Sequence, residues 1–345
     1  MFENGCLVVS MLHIHNGDST ADKAKLSILP GEHFAFREAL VEGPTPLAHD
    51  NSEWRAIRAR HLSEAYGVGL KQCERELEEQ EQKLASFADH EEVVLWFEHD
   101  LFCQVNLLYL LDWFSRRQLG DTTLSLICID RFPGVTDFRG LGQLSAEQLA
   151  SLFPNRKAVE SRALQLASLS WRAYCSPDPT QIEQILEADT SALPFLGAAL
   201  GAHLKRFPSI KNGLGAIENV ALGLTQDGPA SFNDIFAGFA DAEPNYGLGD
   251  SQLALVLARM ISAKRPALRV IGVNGNDPAP PPTLSTLQNT KIEITELGRA
   301  MLKGGTDFVS QNGIDMWLGG VHLDNPEKLL RWDDQLEKLV SNARV

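Results

Sequence analysis

Three short segments of this chain are apolar at nearly every position, and each ends in a cluster of polar residues. Leu7 to Ile14 ends within His13-Ile14-His15-Asn16-Gly17-Asp18-Ser19, Glu92 to Phe97 runs into Glu98-His99-Asp100, and Thr122 to Ile129 runs into Asp130-Arg131. A strand with one wet face alternates apolar and polar residues, whereas a strand apolar on both sides must be covered on both. A helix can begin over Ser19 to Leu26, with Ser19 or Thr20 as its cap, and an apolar helix is predicted from Leu101 to Phe114. Strand, helix, strand, helix, strand with such strands predicts an α/β fold, a Rossmann-like parallel sheet with helices on both faces. Ligands of such sheets bind beyond the carboxyl ends of the strands, where the three polar clusters fall.

The chain has 345 residues, more than one core usually accommodates, and 44% hydrophobic against 22% charged residues, the balance of a globular protein. The α/β ligand-binding part is expected to span 1–140. It includes a second short strand at His33-Phe34-Ala35-Phe36, closed by Glu42-Gly43-Pro44, and one long helical region from Glu53 to Phe87. Residues 141–210 read as a helical region, with helices at Ser145 to Phe153, Lys157 to Tyr174, Pro179 to Glu187 and Ala192 to Phe207. Residues 211–345 read as a winged-helix-like part. Its helices are Ala216 to Leu224, Ser231 to Phe239 and Asp250 to Ser262, its strands Leu268 to Val273 and Lys291 to Thr295, and Pro278 to Pro282 is its wing loop or a linker.

A formal net charge of −14 and the absence of a clustered basic patch argue against nucleic acid and anionic lipid as partners. The third helix of the winged-helix-like part carries Arg259 but no group of side chains suited to reading base edges. The five cysteines form no C-x-x-C pair and have no close metal-ligand partners, which fits reduced thiols. The apolar run Cys6 to Leu12 is too short for a signal peptide and lacks a basic flank, and no stretch approaches a membrane span, so a cytoplasmic location with no membrane contact is expected.

The assembled motifs resemble the bacterial family catalogued as domain of unknown function 1835. The matching pieces are His13-Ile14-His15-Asn16-Gly17-Asp18-Ser19, Glu42-Gly43-Pro44, Leu95-Trp96-Phe97-Glu98-His99-Asp100-Leu101 and Asp130-Arg131-Phe132-Pro133-Gly134. Further on come Trp171-Arg172-Ala173-Tyr174-Cys175, Leu193-Pro194-Phe195-Leu196-Gly197, Thr295-Glu296-Leu297-Gly298-Arg299 and Trp317-Leu318-Gly319-Gly320-Val321-His322-Leu323. They cover nearly the whole chain. The resemblance implies a shared fold and a shared polar site, and it names no reaction.

The catalytic candidates are His13, Glu98, His99 and Asp100. A carboxylate beside an imidazole can set a general base near neutrality. The plainer alternative makes Asp100 the cap of the following helix and His13 a satisfied strand-end residue. Asn16, Gly17, Asp18 and Ser19 are candidate ligand-binding residues, because a glycine turn into a helix amino terminus favours a phosphate or carboxylate. Glu42 and the Asp130-Arg131 pair complete the ligand-binding set, the latter as an anion clamp or an internal ion pair. His13, His15, Glu98, His99 and Asp100 could in principle hold a metal, but their spacing matches no metal motif, and none is assigned. Neither a G-x-G-x-x-G nor a P-loop pattern occurs, so no cofactor is implied. Gly17-Asp18-Ser19 also suggests a serine esterase, but the Asp-x-x-His such an enzyme needs is absent, since Gly319 stands three residues before His322. The function expected is binding or turnover of a small anionic, phosphate- or nucleotide-like ligand at the carboxyl edge of the sheet. The alternative is a regulatory or adaptor protein acting through the winged-helix-like part.

Overall fold

The computed structural model describes residues 10–48, 50–271 and 281–341. Strands β1 (Met11–Asn16), β2 (Glu32–Phe36), β3 (Glu92–Glu98) and β4 (Thr123–Ile129) are mutually parallel. The two-residue β5 (Lys157–Ala158) adds antiparallel at one edge, giving the order β2-β1-β3-β4-β5. The fold is therefore a mixed α/β one with a mostly parallel sheet, and β1, β3 and β4 are neighbours, so their polar carboxyl ends lie along one edge.

Helices α1 (Asp18–Lys25), α2 (Asn51–Tyr66), α3 (Leu70–Ala85), α4 (Leu101–Ser115) and α5 (Ala146–Leu152) connect these strands. Side-chain alternation sends Leu12 and Ile14 of β1, and Leu95 and Phe97 of β3, into a core shared with α4. Val94, Trp96 and Ile127 enter a second core on the other face, with Ala24, Leu141 and Leu149. Both faces are covered, as uniformly apolar strands require.

Three local expectations are corrected. The helix after β1 starts at Asp18, with Gly17 (φ 99°) as its N-cap, so neither Ser19 nor Thr20 caps it. The long helical region splits at Gly67, whose left-handed φ of 70° directs its N–H to the Ser63 carbonyl and ends α2. Lys157 and Ala158 pair with β4 instead of opening a helix, because the sheet edge offers their backbone partners; α6 (Ser161–Tyr174) begins only afterwards.

Helices α7 (Thr180–Glu187), α8 (Leu196–Leu204) and α9 (Ala216–Gly223) follow. Next come β6 (Ala230–Ser231), α10 (Phe232–Ala242), α11 (Asp250–Ile261) and β7 (Leu268–Ile271). Then α12 (Leu284–Gln288), β8 (Lys291–Ile294), α13 (Glu296–Leu302) and α14 (Phe308–Asn312) complete this stretch. Strands β6, β8 and β7 form a three-stranded antiparallel sheet in that order. Residues 7–9 of the first expected strand, 272–273 of the expected Leu268 to Val273 strand and 278–280 of the proline tract lie outside the described residues. The core under the sheet continues through Trp171, Leu200, Leu222, Phe239 and Leu257. Among the described residues no helix is long and apolar enough to cross a membrane.

The last segment holds two hairpins, β9 (Met316–Leu318) with β10 (Val321–Leu323) and β11 (Leu330–Asp333) with β12 (Lys338–Ser341). The first docks on the end of α6, where the Gly320 N–H donates to the Tyr174 carbonyl at 2.8 Å. A Cβ on Gly320 would lie 1.9 Å from the Cys175 carbonyl oxygen. Gly320→Ala is therefore expected to push the hairpin off α6 and cost roughly 1–3 kcal/mol by overpacking. Faster proteolysis at 313–325 and a lower urea midpoint would report it; an unchanged midpoint would contradict the close contact.

Candidate functional site

The fold brings Glu98, Asp100 and Asn16 together and adds Cys103, which the sequence did not single out. Asn16 closes β1 and Glu98 closes the adjacent β3, so both reach the same sheet edge. Asp100 caps α4, accepting from the Cys103 backbone N–H at 2.9 Å, and this cap fixes Cys103 on the first turn of α4. The Cys103 thiol donates to Glu98 Oε2 at 2.8 Å and accepts from Asn16 Nδ2 at 2.7 Å. Asn106, one turn further along α4, donates to Asn16 Oδ1 at 2.8 Å and orients that amide. The other Glu98 oxygen accepts the Leu141 N–H at 2.7 Å.

Asn16, Glu98, Asp100 and Cys103 line a cavity of about 330 Å³. Phe236 and Phe239 of α10, Gly247 in the turn before α11, and Gln252 of α11 wall it, and Arg139 stands at it from the loop after β4. Glu98 is 6% and Asp100 3% exposed, and neither has an ion-pair partner among the described residues. Burial raises both carboxyls above their ordinary range, Glu98 to about 7, and for Glu98 the neighbouring Asp100 charge adds to the effect. Burial, with the two carboxylates alongside, likewise pushes the Cys103 thiol well up, so it stays protonated at neutral pH. Oxygens of Glu98 and Asp100 and the Cys103 sulfur lie within 4.8 Å of one another. Those are the donors that could hold a cation, with no histidine among them.

His13 and His15 point to the opposite side of β1 from Asn16, as the two-residue period of a strand demands. His13 is fully buried: Nε2 lies 2.8 Å from the Pro30 carbonyl, and Nδ1 accepts from the Trp96 indole at 3.1 Å. Its ring stacks on His33 with centroids 4.6 Å apart, and burial lowers its pKa to about 4. His15 pairs through Nε2 with His33 Nδ1 at 3.0 Å, and burial holds it neutral. His13 pairs in register with Val94, four residues before Glu98 along β3, does not line the cavity and serves the core. The His99 ring rests edge-on against Phe195, 6.1 Å between centroids, and does not line the cavity.

Asp18 is engaged by Arg37, whose Nε donates at 2.8 Å and Nη2 at 2.6 Å. Gly17 holds its positive φ beside this pair, and Ser19 is exposed on α1 next to Gly142. Asp130 and Arg131 pair with each other at the surface, 3.0 Å apart, away from the cavity. Glu42 is buried in a different cavity, accepting from the Tyr66 hydroxyl at 2.8 Å. Cys103, Asn106, Arg139 and Gln252 escaped the reading of the sequence. For the α4 residues a signal existed: Gln104, Asn106 and Asp112 are polar residues within an otherwise apolar helix, and all three are buried. Arg139 and Gln252 carried none. A scan against models of protein families finds no match to the chain, and a search of curated proteins finds none either.

Proposed function

We propose that the chain binds and acts on a small molecule in the cavity at the carboxyl ends of β1 and β3. Glu98 holds or delivers the proton, and Arg139 meets an anionic, phosphate- or nucleotide-like part of the ligand. One observation carries this reading: two buried carboxyls face a cavity without a paired cation, which is costly unless a proton or a ligand's donor group balances them. The order β2-β1-β3-β4 supports it, because the chain reverses direction across the sheet between β1 and β3, the crevice where Rossmann-like sheets take ligands. A carboxyl titrating near 7 suits general acid–base work at neutral pH.

A thermal-shift screen against nucleotides, phosphosugars and small carboxylic acids tests the idea, since a ligand stabilises by mass action. A compound that raises the melting temperature should lose its effect in Glu98→Gln, which removes the carboxylate that accepts the ligand's donor group, and weaken about tenfold or more in Arg139→Ala. Both variants should melt near the parent without ligand. Hits that bind Glu98→Gln and Asp100→Asn as well as the parent would sink the reading.

The second reading takes α9, β6, α10, α11, β7 and β8 as a winged helix in a regulatory or adaptor protein. Against the DNA-binding form stands α11, the helix that would enter a groove. Its Gln252, Leu255, Val256 and Arg259 face cavities within the molecule. We therefore read the winged-helix-like part as the wall that closes the site.

A further inference from the structure

A second cavity of about 670 Å³ lies beyond the first and is linked to it by hydrogen bonds. Gln252, at the first cavity, donates to the Tyr66 hydroxyl at 3.0 Å, which donates to Glu42, at the second. Arg206 lines this second cavity while only 8% exposed. Its Nη1 donates to the Val41 carbonyl at 2.6 Å, and among the described residues it forms no ion pair. A buried guanidinium without a carboxylate in contact is a costly arrangement unless an anion completes it. Arg259 lines the same cavity and is paired with Glu218. The Arg206 charge, added to burial, lowers Arg259 to about 10, so the two guanidiniums are close enough to repel. Glu42 does not cancel the excess fully, because burial biases its carboxyl toward the neutral form. The buried His61 Nε2 has no partner, and burial with the nearby Arg58 charge keeps that ring neutral.

The rest of the wall is mixed: Ile57, Leu255, Val256 and Trp317 give it an apolar part, and Arg60, Glu64 and Asp315 stand around it. We propose that this cavity binds a small monocarboxylate with an apolar, planar or branched body, its carboxylate held between Arg206 and Arg259. Arg206 brings a buried guanidinium with no carboxylate in contact, while Glu64, Glu218 and Asp315 stand around the same cavity. One unmatched guanidinium among acidic neighbours favours a carboxylate over a phosphate dianion, and the apolar part of the wall takes the body of the ligand.

The test is titration calorimetry of the full chain with benzoate, indole-3-acetate and octanoate, with benzamide and phenyl phosphate as controls. At least one carboxylate should bind with a dissociation constant below about 1 mM, benzamide should not, and phenyl phosphate should bind more weakly. Arg206→Met, which fills the same volume, should weaken carboxylate binding at least tenfold. Should it misfold, Arg206→Lys keeps the charge, loses the fork and should still weaken binding. Binding should persist in Glu98→Gln, which separates this cavity from the first. Absence of carboxylate binding to the parent chain at about 10 mM, or equal binding by the folded Arg206 variant, would overturn the proposal.

Discussion

Arg58→Ala is expected to destabilise the protein by about 3–5 kcal/mol, the range for removing one partner of a buried ion pair. The Arg58 side chain is fully buried, and that of Glu38, its partner, is 3% exposed. Nε and Nη2 of Arg58 donate to the two Glu38 oxygens at 2.9 and 2.8 Å. Its remaining N–H groups go to the carbonyls of Ala39, Glu42 and Pro44. Truncation strands a buried carboxylate and three carbonyls at once, and it frees the segment that carries Glu42 and Gly43 into the second cavity. Against a typical total stability of about 5–15 kcal/mol the loss is large. Most of it reflects the uncompensated Glu38 charge, so Glu38→Gln combined with Arg58→Met should recover at least half. Urea unfolding of the two single variants and the double variant measures this. A coupling below about 1 kcal/mol would mean that the pair is not the organising contact of this segment.

Stability should also fall steeply as pH drops below about 6.5. His13, His15, His61 and His203 are held neutral by burial, with His13 and His61 lowered to about 4 and the other two well below their ordinary value. In the unfolded chain each returns to near its ordinary 6.5. Depressed folded values mean that the unfolded chain takes up protons first. Stability is thus complete above 6.5 and is lost as pH falls toward the folded values. Each such proton contributes about 1.4 kcal/mol per pH unit, so His13 alone accounts for about 3 kcal/mol between 6.5 and 4. Glu98 works the other way: its folded value is raised, so its protonation between 7 and 4.5 favours the folded state and offsets about one histidine. His33 is lowered in the same sense, Asp100 and Glu42 are raised like Glu98, and the histidines outweigh these carboxyls. Urea midpoints at pH 7.5, 6 and 5 test this, and Glu98→Gln should steepen the fall by removing the offset. A stability curve flat from 6.5 to 5 would show that these rings are not buried neutral groups.

Much of this architecture is written locally. The strands at Met11–Asn16, Glu92–Glu98 and Thr123–Ile129 are legible because a strand buried on both faces is mostly apolar along its length. The Asp100 cap and the apolar α4 follow from the same kind of rule. The carboxyl-edge position of Asn16, Glu98 and Asp100 follows once the strands are taken as parallel. Where the sequence misled, a choice depended on contacts distant in the chain. Lys157 and Ala158 join the sheet because β4 had a free edge. His13 shares a polar cluster with Asn16, yet strand alternation turns it to the face where the Trp96 indole meets it, 83 residues away in the chain.

The sequence by itself determined the covered parallel sheet and the polar residues at its carboxyl edge, because hydrophobic patterning and capping act between near neighbours. Only the tertiary structure decided that Glu98 and Asp100 join Cys103 in one cavity while His13 and Asp130 stay out. It also decided that Glu42 belongs with Arg206 and Arg259 in another. Residues more than a hundred positions apart meet there, and burial, which sets their charge states, exists only once the core has closed.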